Sequence, residues 1–304
     1  MIRTLFTYIV FPGFLFSAVV GLLAGWIDRK VTARIHWRVG PPWHQNFTDI
    51  LKLLGKETIV PPGRKVTFLG APYIGLLGAV CVAGMVGRVL FTGQDGFAGD
   101  LIVILYLLTL PAISLIIGAS ASRNPLASIG GSREIKLVLA YELPFIISVV
   151  AISLKTQGTL QLSHLLGFQG EAGSHIASIS GILAFCVALL CMQAKLGFVP
   201  FDASEAEQEI MGGVLIEYSG LPLAIFKLTK AILLATLPLL LTVLFLGKDT
   251  SPLFVVLKFV GIITLFVLIK NTNPRVRIDQ SIRFFWGPMT VVALAALGLA
   301  IVGL

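Results

Sequence analysis

Between Tyr218 and Leu246 the chain reads YSGLPLAIFKLTKAILLATLPLLLTVLFL. Only two of these residues, Lys227 and Lys230, are charged. A helix needs about 20 predominantly apolar residues to cross the hydrocarbon core of a bilayer. The stretch therefore predicts a membrane-spanning helix, and with it a fold whose main solvent is lipid.

The rest of the chain has the same character. It has 304 residues, of which 56% are hydrophobic and 12% are charged, and its mean hydropathy is +0.94. A soluble domain carries about 25% charged residues, so an ordinary soluble enzyme is excluded. Seven further apolar stretches have the length of a span: 4–27, 67–91, 101–122, 134–154, 176–196, 252–270 and 282–303. We predict an all-α polytopic membrane protein with eight transmembrane helices.

The basic residues between the predicted spans indicate an orientation. Sixteen Lys and Arg residues lie in 28–66, 123–136, 195–212 and 270–283, against four on the opposite side. Cytoplasmic loops carry an excess of Lys and Arg. We therefore expect a multi-pass protein of the cell inner (plasma) membrane with both termini on the outer side. The same excess explains the net charge of +8, which does not indicate nucleic acid binding.

No connection is long enough for a second folded domain, so residues 1–304 are expected to form a single membrane domain. The cytoplasmic loop 28–66 contains a periodic segment, Gln45–Glu57, with apolar and charged residues on different faces. This pattern predicts a short amphipathic helix at the membrane interface. It fits a lipid anchor and a wall of a binding chamber equally well.

Cysteine and histidine residues give no sign of a cofactor site. The three cysteines lie in apolar runs without a CxxC pair, and the four histidines have no ligand spacing. Such a pattern does not indicate a disulfide framework, or an iron–sulfur or nickel site made of paired thiolates. We therefore predict no metal and no catalytic residue on this chain, and expect any redox chemistry to belong to partner subunits.

Ionisable residues inside a span are costly and are functional candidates by default. Glu142 lies about eight residues into the predicted span 134–154, close to the midplane, and Pro144 follows it. A protonated structural glutamate and a proton relay both fit this position, and its depth favours the relay. A short carboxylate at this depth cannot reach the interface.

Two further ionisable residues are more ambiguous. Lys230 lies deep in the stretch 218–246 and fits a buried relay or a side chain that reaches the interface. Glu134 lies at the predicted start of its span, beside Arg133 and Lys136. A solvated charge paired with these basic residues is as compatible with its position as a functional role.

The loop 197–217, here called the acidic loop, is acidic on a side where basic residues are expected. It contains five of the fifteen acids of the chain: Asp202, Glu205, Glu207, Glu209 and Glu217. Asp202 followed by Glu205 has the spacing of a capping box and predicts a helix that begins after Pro200. Asp202, Glu205 and Glu209 would share a face of that helix.

Two interpretations of the acidic loop remain open. Like charges on one helix face repel and raise some of the carboxyl pKa values. The loop is then either a capped, solvated helix or a carboxylate cluster that takes up protons and passes them to Glu217 and Glu142.

Several short segments, taken in order, carry a family resemblance: Asp28-Arg29-Lys30-Val31, Arg38-Val39-Gly40-Pro41, Gln45, Asp49-Ile50-Leu51-Lys52-Leu53-Leu54-Gly55-Lys56-Glu57, Ala140-Tyr141-Glu142-Leu143-Pro144, Pro200-Phe201-Asp202, Glu205-Ala206-Glu207, Glu217-Tyr218 and Asn273-Pro274-Arg275-Val276-Arg277. A single matching segment would be weak, whereas the resemblance of the ordered set covers nearly the whole chain. The set resembles one family, the large membrane subunit shared by respiratory complex I and the energy-converting, membrane-bound nickel–iron hydrogenases.

The resemblance implies a non-catalytic membrane subunit of an oxidoreductase complex. In the family this subunit anchors a peripheral electron-transfer arm and forms the start of an acidic conduit towards antiporter-like subunits. The conduit candidates are Glu142, Asp202, Glu205, Glu207, Glu209 and Glu217, joined by the relay candidate Lys230. The candidates for docking or topology are Arg29, Arg38, Lys52, Lys56, Arg133, Arg275 and Arg277.

The resemblance also implies partners. These are hydrogenase-like large and small peripheral subunits, an iron–sulfur subunit, antiporter-like membrane subunits and the lipid bilayer. The iron–sulfur clusters and a nickel–iron site would be carried by those partners, with no cofactor bound by this chain.

Two segments depart from the quinone-reducing members of the family. Those members have Glu-Thr-Asn-Arg ahead of Pro-Phe-Asp, where this chain has Lys195-Leu196-Gly197-Phe198. Phe198 thus stands where a basic residue near the quinone headgroup is expected. The segment 128–134 is also more similar to the hydrogenase branch.

These departures favour one functional expectation over two others. We expect an ion-coupling subunit, for protons or sodium, of a hydrogen-evolving energy-converting hydrogenase or a related sulfur-reducing complex. A quinone-chamber subunit of complex I and a stand-alone cation transporter are the alternatives.

Overall fold

A computed structural model of the chain describes residues 2–62, 65–93, 96–247, 249 and 251–303. Within these ranges, seven helices are long and apolar enough to cross a membrane, and an eighth apolar helix, Ile179–Lys195, is shorter. The prediction of an all-α polytopic membrane protein is confirmed. The strongly apolar stretch around 218–246 forms the helix Gly220–Phe245, whose side chains are mostly buried.

The helices are numbered along the chain. They are α1 (Ile2–Ile9), α2 (Phe14–Ile35), α3 (Gln45–Leu54), α4 (Lys65–Gly87), α5 (Asp100–Leu107), α6 (Leu110–Ala121), α7 (Pro125–Lys155), α8 (Leu162–Ala172), α9 (Ile179–Lys195), α10 (Glu207–Ile210), α11 (Gly220–Phe245), α12 (Pro252–Thr272), α13 (Ile278–Phe284) and α14 (Thr290–Val302). A π-helical turn, Phe285–Met289, joins α13 to α14. Three spans are therefore built from two helices each: α1 with α2, α5 with α6, and α13 with α14.

Helix α11 is the central element, because it packs against α2, α3, α4 and α12. Its contact with α2 is very close. A Cβ atom added to Gly21 would lie only 1.9 Å from the Ala231 carbonyl oxygen. A residue without a side chain is thus required here, and it brings the backbones of the first and sixth spans together. The predicted amphipathic helix is present as α3, and it lies against these same two helices.

Helix α7 is longer than the predicted span 134–154. It begins at Pro125, whose missing N–H is no loss at the first helical position. The Asn124 side chain accepts a hydrogen bond from the Leu126 N–H at 2.9 Å and caps the helix. The placement of Glu134 at a helix start is therefore wrong. Glu134 lies in the third turn and is buried, with 8% exposure.

The first part of the acidic loop is not the predicted helix. Residues 201–206 are irregular, and α10 is a single turn that begins only at Glu207. The capping box of Asp202 and Glu205, and the shared face with Glu209, are therefore wrong. One reason lies outside the loop, because Arg275 holds Asp202. A second lies inside it, because Met211, Gly212 and Gly213 all have positive φ and end α10 after one turn.

Candidate functional site

A cavity of about 390 Å³ lies where α2, α3, α7 and α11 meet the beginning of the acidic loop. Its walls are largely apolar, and include Leu22, Phe198 and Phe226. Nine charged residues also line it: Asp28, Arg29, Asp49, Glu134, Lys195, Glu205, Glu207, Lys227 and Lys230. Because α3 contributes Asn46, Asp49 and Ile50 to this wall, the amphipathic helix does more than lie on the lipid surface.

The pair Glu205–Lys230 joins the acidic loop to α11. The Lys230 ammonium donates to the Glu205 carboxylate over 2.7 Å, and both side chains are partly buried. The two residues were separate candidates in the sequence, and the fold brings them together at the cavity. The Lys230 Nζ also lies 5.9 Å from the centre of the Phe198 ring.

Glu134 is the next carboxylate along the cavity. It lines the cavity together with Ser204, Glu205, Lys230 and Lys195, and it is influenced by the charges of the last three. Sequence reasoning placed this residue at the start of a span and left a solvated charge and a functional role equally open. Its burial could not be anticipated because the start of α7, nine residues earlier, carries no hydrophobic signal of a span.

Glu142 pairs with a lysine that sequence reasoning missed. The Lys195 ammonium donates to the Glu142 carboxylate over 2.6 Å, and the Lys195 side chain is only 3% exposed. Its Nζ lies 4.8 Å from the Tyr141 ring centre and 5.2 Å from that of Phe145. In the sequence, Lys195 contributed only to the count of loop charges. Its place at the end of an apolar helix is the signal that could have identified it as a buried partner of Glu142.

These contacts form one series of alternating acids and bases. It runs from Glu205 and Lys230, past Glu134, to Lys195 and Glu142. Each carboxylate in it faces an ammonium or a hydroxyl group, and apolar side chains surround the series. Such an arrangement can hold charges that would be costly alone in a membrane-spanning segment.

Three of the other conduit candidates, Asp202, Glu209 and Glu217, have partners outside the cavity lining. Asp202 binds Arg275 through two hydrogen bonds of 2.8 and 2.5 Å, Glu209 pairs with Arg133 at 2.5 Å, and Glu217 accepts from the Asn124 side chain at 2.5 Å. Glu207 lines the cavity and is exposed. Arg133, which the sequence allowed as a partner of Glu134, pairs with Glu209 instead. The fold thus divides the acidic loop into cavity carboxylates and tethering carboxylates.

The docking candidates divide into paired and exposed residues. Arg133 and Arg275 pair with carboxylates of the acidic loop, and Arg29 pairs with Asp49 over 3.2 Å. Burial raises the pKa of the Asp49 carboxyl, but hydrogen bonds from Gln45 and Arg29 outweigh it, so this pKa lies below its ordinary value. The remaining candidates are exposed: Arg38, Lys52, Lys56 and Arg277.

Replacing Arg275 by Ala should loosen the acidic loop. It would leave the Asp202 side chain, only 14% exposed, without its partner. Breaking a buried pair from one side costs about 3–5 kcal/mol, and the partial exposure of this pair reduces the expected cost to about 2 kcal/mol. Limited proteolysis of the intact complex should then cut the loop at least about tenfold faster. Equal cleavage of Arg275→Ala and the exposed control Arg283→Ala would contradict the tether.

The described part of the chain holds no group of three or more His, Cys, Asp or Glu side chains that could bind a metal ion. The chemistry available at the cavity is therefore that of carboxylates, ammonium groups and hydroxyls. These groups can bind, exchange and move protons or hold a cation by charge.

Comparison with known proteins places the chain among respiratory membrane proteins. A family model described as NADH dehydrogenase matches residues 7–301. The H-type subunit of the NADH-quinone oxidoreductase of Bacillus cytotoxicus is 34% identical, with 90% of this chain and 86% of the relative covered. The corresponding protein of Brevibacillus brevis is 32% identical, with 94% and 90% covered.

A solved structure is similar over almost its whole length. A chain in the structure of a membrane-bound sulfane sulfur reductase, an archaeal respiratory membrane complex, superposes with a TM-score of 0.88 and 26% identity. The match covers 98% of this chain and 99% of that one.

Proposed function

Because this chain belongs to the NADH dehydrogenase family, we propose that it couples electron transfer in a respiratory complex to the movement of protons or sodium ions. Its relatives are membrane subunits of such complexes, and its apolar helices make it a multi-pass membrane subunit as well. The proposed coupling of electron transfer to ion movement goes beyond what these relatives show.

The observation that carries the proposal is the series of acids and bases that begins at the cavity with Glu205 and Lys230 and ends at Glu142, the partner of Lys195. A proton that reaches Glu205 from the acidic loop meets Lys230, then Glu134, and then the pair of Lys195 on α9 and Glu142 on α7. The cavity is large enough for several water molecules, which would bridge the gaps between these groups. An arrangement needed only for stability would not place so many ionisable groups beside one another in a membrane domain.

Phe198 supports a complex that does not reduce a quinone. This residue lines the cavity at the position where quinone-reducing members carry a basic residue, and its ring offers no charge or hydrogen bond to a quinone oxygen. We therefore propose a hydrogen-evolving or sulfur-reducing complex. The cavity itself keeps a quinone-binding subunit as the second candidate, because it joins apolar walls to polar groups, as small-molecule sites do.

The proposal includes partners, cofactors and an orientation. The exposed residues Arg38, Lys52, Lys56 and Arg277 would face a peripheral arm whose proteins carry the iron–sulfur clusters and a nickel–iron site. Antiporter-like membrane subunits would receive the ions or the charge displacement. The excess of Lys and Arg on the same side supports a cytoplasmic position for the arm and the acidic loop.

Purification of the intact complex by a tag on this chain tests the function. We expect the chain to co-purify with subunits that contain iron–sulfur clusters and nickel, and electron transfer by the complex in vesicles to build an ion gradient. Bound quinone with no nickel would instead support the quinone-reducing alternative. A chain that purifies alone and carries ions by itself would contradict the proposal and indicate a transporter.

A further inference from the structure

A second cavity, of about 510 Å³, lies between α4 and α6 beside the turn that leads into α7. It is lined by Thr67 of α4, by Ile116, Ile117, Ser120 and Ala121 of α6, and by Arg123 of the turn. None of these residues lines the cavity on which the proposed function rests. Its volume falls within the range of small-molecule sites, about 300–1,000 Å³.

The polar and apolar parts of the second cavity lie at different depths. Thr67 is in the first turn of α4 and Ser120 is in the last turn of α6, and both helices belong to candidate membrane spans. The two hydroxyls therefore lie near the membrane surface, and Arg123 lies just beyond the span. Ile116 is one helical turn below Ser120, about 5 Å further into the membrane. A phospholipid has the same order of polarity, with a charged headgroup at the surface and apolar chains below it.

Arg123 has a backbone conformation that arginine rarely adopts. Its φ is +58°, in the left-handed region that glycine and asparagine adopt more readily. Both neighbours hold the turn in place. The Ser122 hydroxyl donates to the Ala119 carbonyl over 2.7 Å, and the Asn124 side chain caps α7. Because glycine would suit this turn better, the presence of arginine indicates a role for its guanidinium at the cavity.

The donors of the second cavity have few partners within the chain. The Arg123 guanidinium forms no ion pair with a carboxylate of the described residues. The Thr67 hydroxyl forms no hydrogen bond in the described part of the chain, whereas the Ser120 hydroxyl donates to the Ile116 carbonyl over 2.9 Å. A guanidinium and a free hydroxyl thus remain to donate to a ligand, and guanidinium binds phosphate in a bidentate manner.

We propose that the second cavity binds an anionic phospholipid, whose phosphate accepts hydrogen bonds from the Arg123 guanidinium and the Thr67 hydroxyl. An acyl chain would lie along Ile116 and Ile117, and this apolar wall distinguishes a lipid from a free phosphate ion. Among the described lining residues there is no acid and no aromatic ring to hold the quaternary ammonium of a zwitterionic lipid. Basic pockets between transmembrane helices on the cytoplasmic side hold anionic headgroups, and the proposed orientation puts the second cavity on that side.

Photolabelling of the intact complex tests this proposal. The purified complex, freed of native lipid by detergent, is titrated with phosphatidylglycerol whose acyl chain carries a photoreactive group, and labelled peptides are identified by mass spectrometry. We expect saturable labelling of α6 around Ile116 and Ile117, and about fivefold weaker labelling by the corresponding phosphatidylcholine. Unlabelled phosphatidylglycerol should compete with the probe, whereas inorganic phosphate should not.

Arg123→Asn is the matching variant, because asparagine adopts the left-handed backbone conformation and removes the guanidinium with its charge. We expect it to lower the apparent affinity for phosphatidylglycerol about tenfold, through the loss of a charge-assisted bidentate contact. Lys136→Gln is the control. Lys136 is an exposed basic residue of α7 that does not line the second cavity, so its neutralisation should leave the affinity unchanged.

Equal labelling by the two lipids, or equal affinities in Arg123→Asn and Lys136→Gln, would overturn the proposal. Competition by inorganic phosphate as strong as that by phosphatidylglycerol would indicate a site for a free anion and overturn the lipid. Absence of labelling on α6 would mean that a partner subunit covers the second cavity, which also overturns it. If Arg123→Asn fails to assemble, the lipid comparison and the phosphate competition decide the question on the unaltered complex, because neither needs a variant.

Discussion

A complex that carries Glu142→Gln should assemble and transfer electrons, but its ion translocation should fall at least about tenfold. Glutamine has nearly the same shape, and its side-chain oxygen can still accept the hydrogen bond from Lys195, so the packing around the 3% exposed lysine is retained. The change removes the ability to gain and lose a proton, and with it the negative charge opposite the Lys195 ammonium. The measurement is the gradient built per electron transferred in vesicles, together with the reduction of the iron–sulfur clusters.

Glu171→Gln is the matched control for this prediction. Glu171 is an exposed glutamate of α8, distant in sequence from the cavity residues. We expect normal coupling in this variant. Normal coupling in Glu142→Gln as well would make the Glu142–Lys195 pair structural, and the proposed route through α7 would be wrong.

Neutralising Glu205, Glu207 and Glu209 together should abolish coupling while the peripheral arm remains bound. From the structure we expect the three single neutralisations to lower coupling by different amounts. Glu205 pairs with Lys230 at the cavity and should have the largest effect, Glu207 is exposed at the cavity lining, and Glu209 only tethers Arg133.

Gel filtration of the triple variant at two salt concentrations separates this role from docking. A docking surface for basic residues would release the arm, and the more so at high salt, because salt screens exposed charges. The exposed acids Glu57 and Asp279, neutralised together, serve as the control for net charge. Normal coupling with a bound arm in the triple variant would contradict both roles and leave the acids as solvated charges.

Much of the fold could be predicted from the sequence because hydropathy is a local property. About 20 consecutive apolar residues decide a span without reference to the rest of the chain. The amphipathic helix α3 could be predicted for the same reason, since its period is contained in ten residues. The depth of Glu142 in a span also followed from the local pattern. The polar beginning of α7, from Pro125 onward, could not be predicted, because that part of the helix lies against the acidic loop and α6 instead of lipid.

Local signals failed where a distant residue competed for the same group. The spacing of Asp202 and Glu205 predicted a capped helix, but Arg275, 73 residues away, binds the Asp202 carboxylate through two hydrogen bonds. A charge-assisted pair of this kind is stronger than a single hydrogen bond to a backbone N–H. The Asp202 carboxylate therefore binds Arg275 and does not cap a helix.

The sequence by itself determined that this is a membrane protein, which stretches cross the bilayer, and which ionisable residues lie among them. The tertiary structure decided how those residues pair. Glu142 pairs with Lys195, 53 residues away in the sequence, and Asp28 pairs with Lys270, 242 residues away. Spans can be recognised one at a time, whereas such pairs depend on which helix faces meet. The close contact of α2 with α11 at Gly21 and the long helix α7 bring those faces to one cavity.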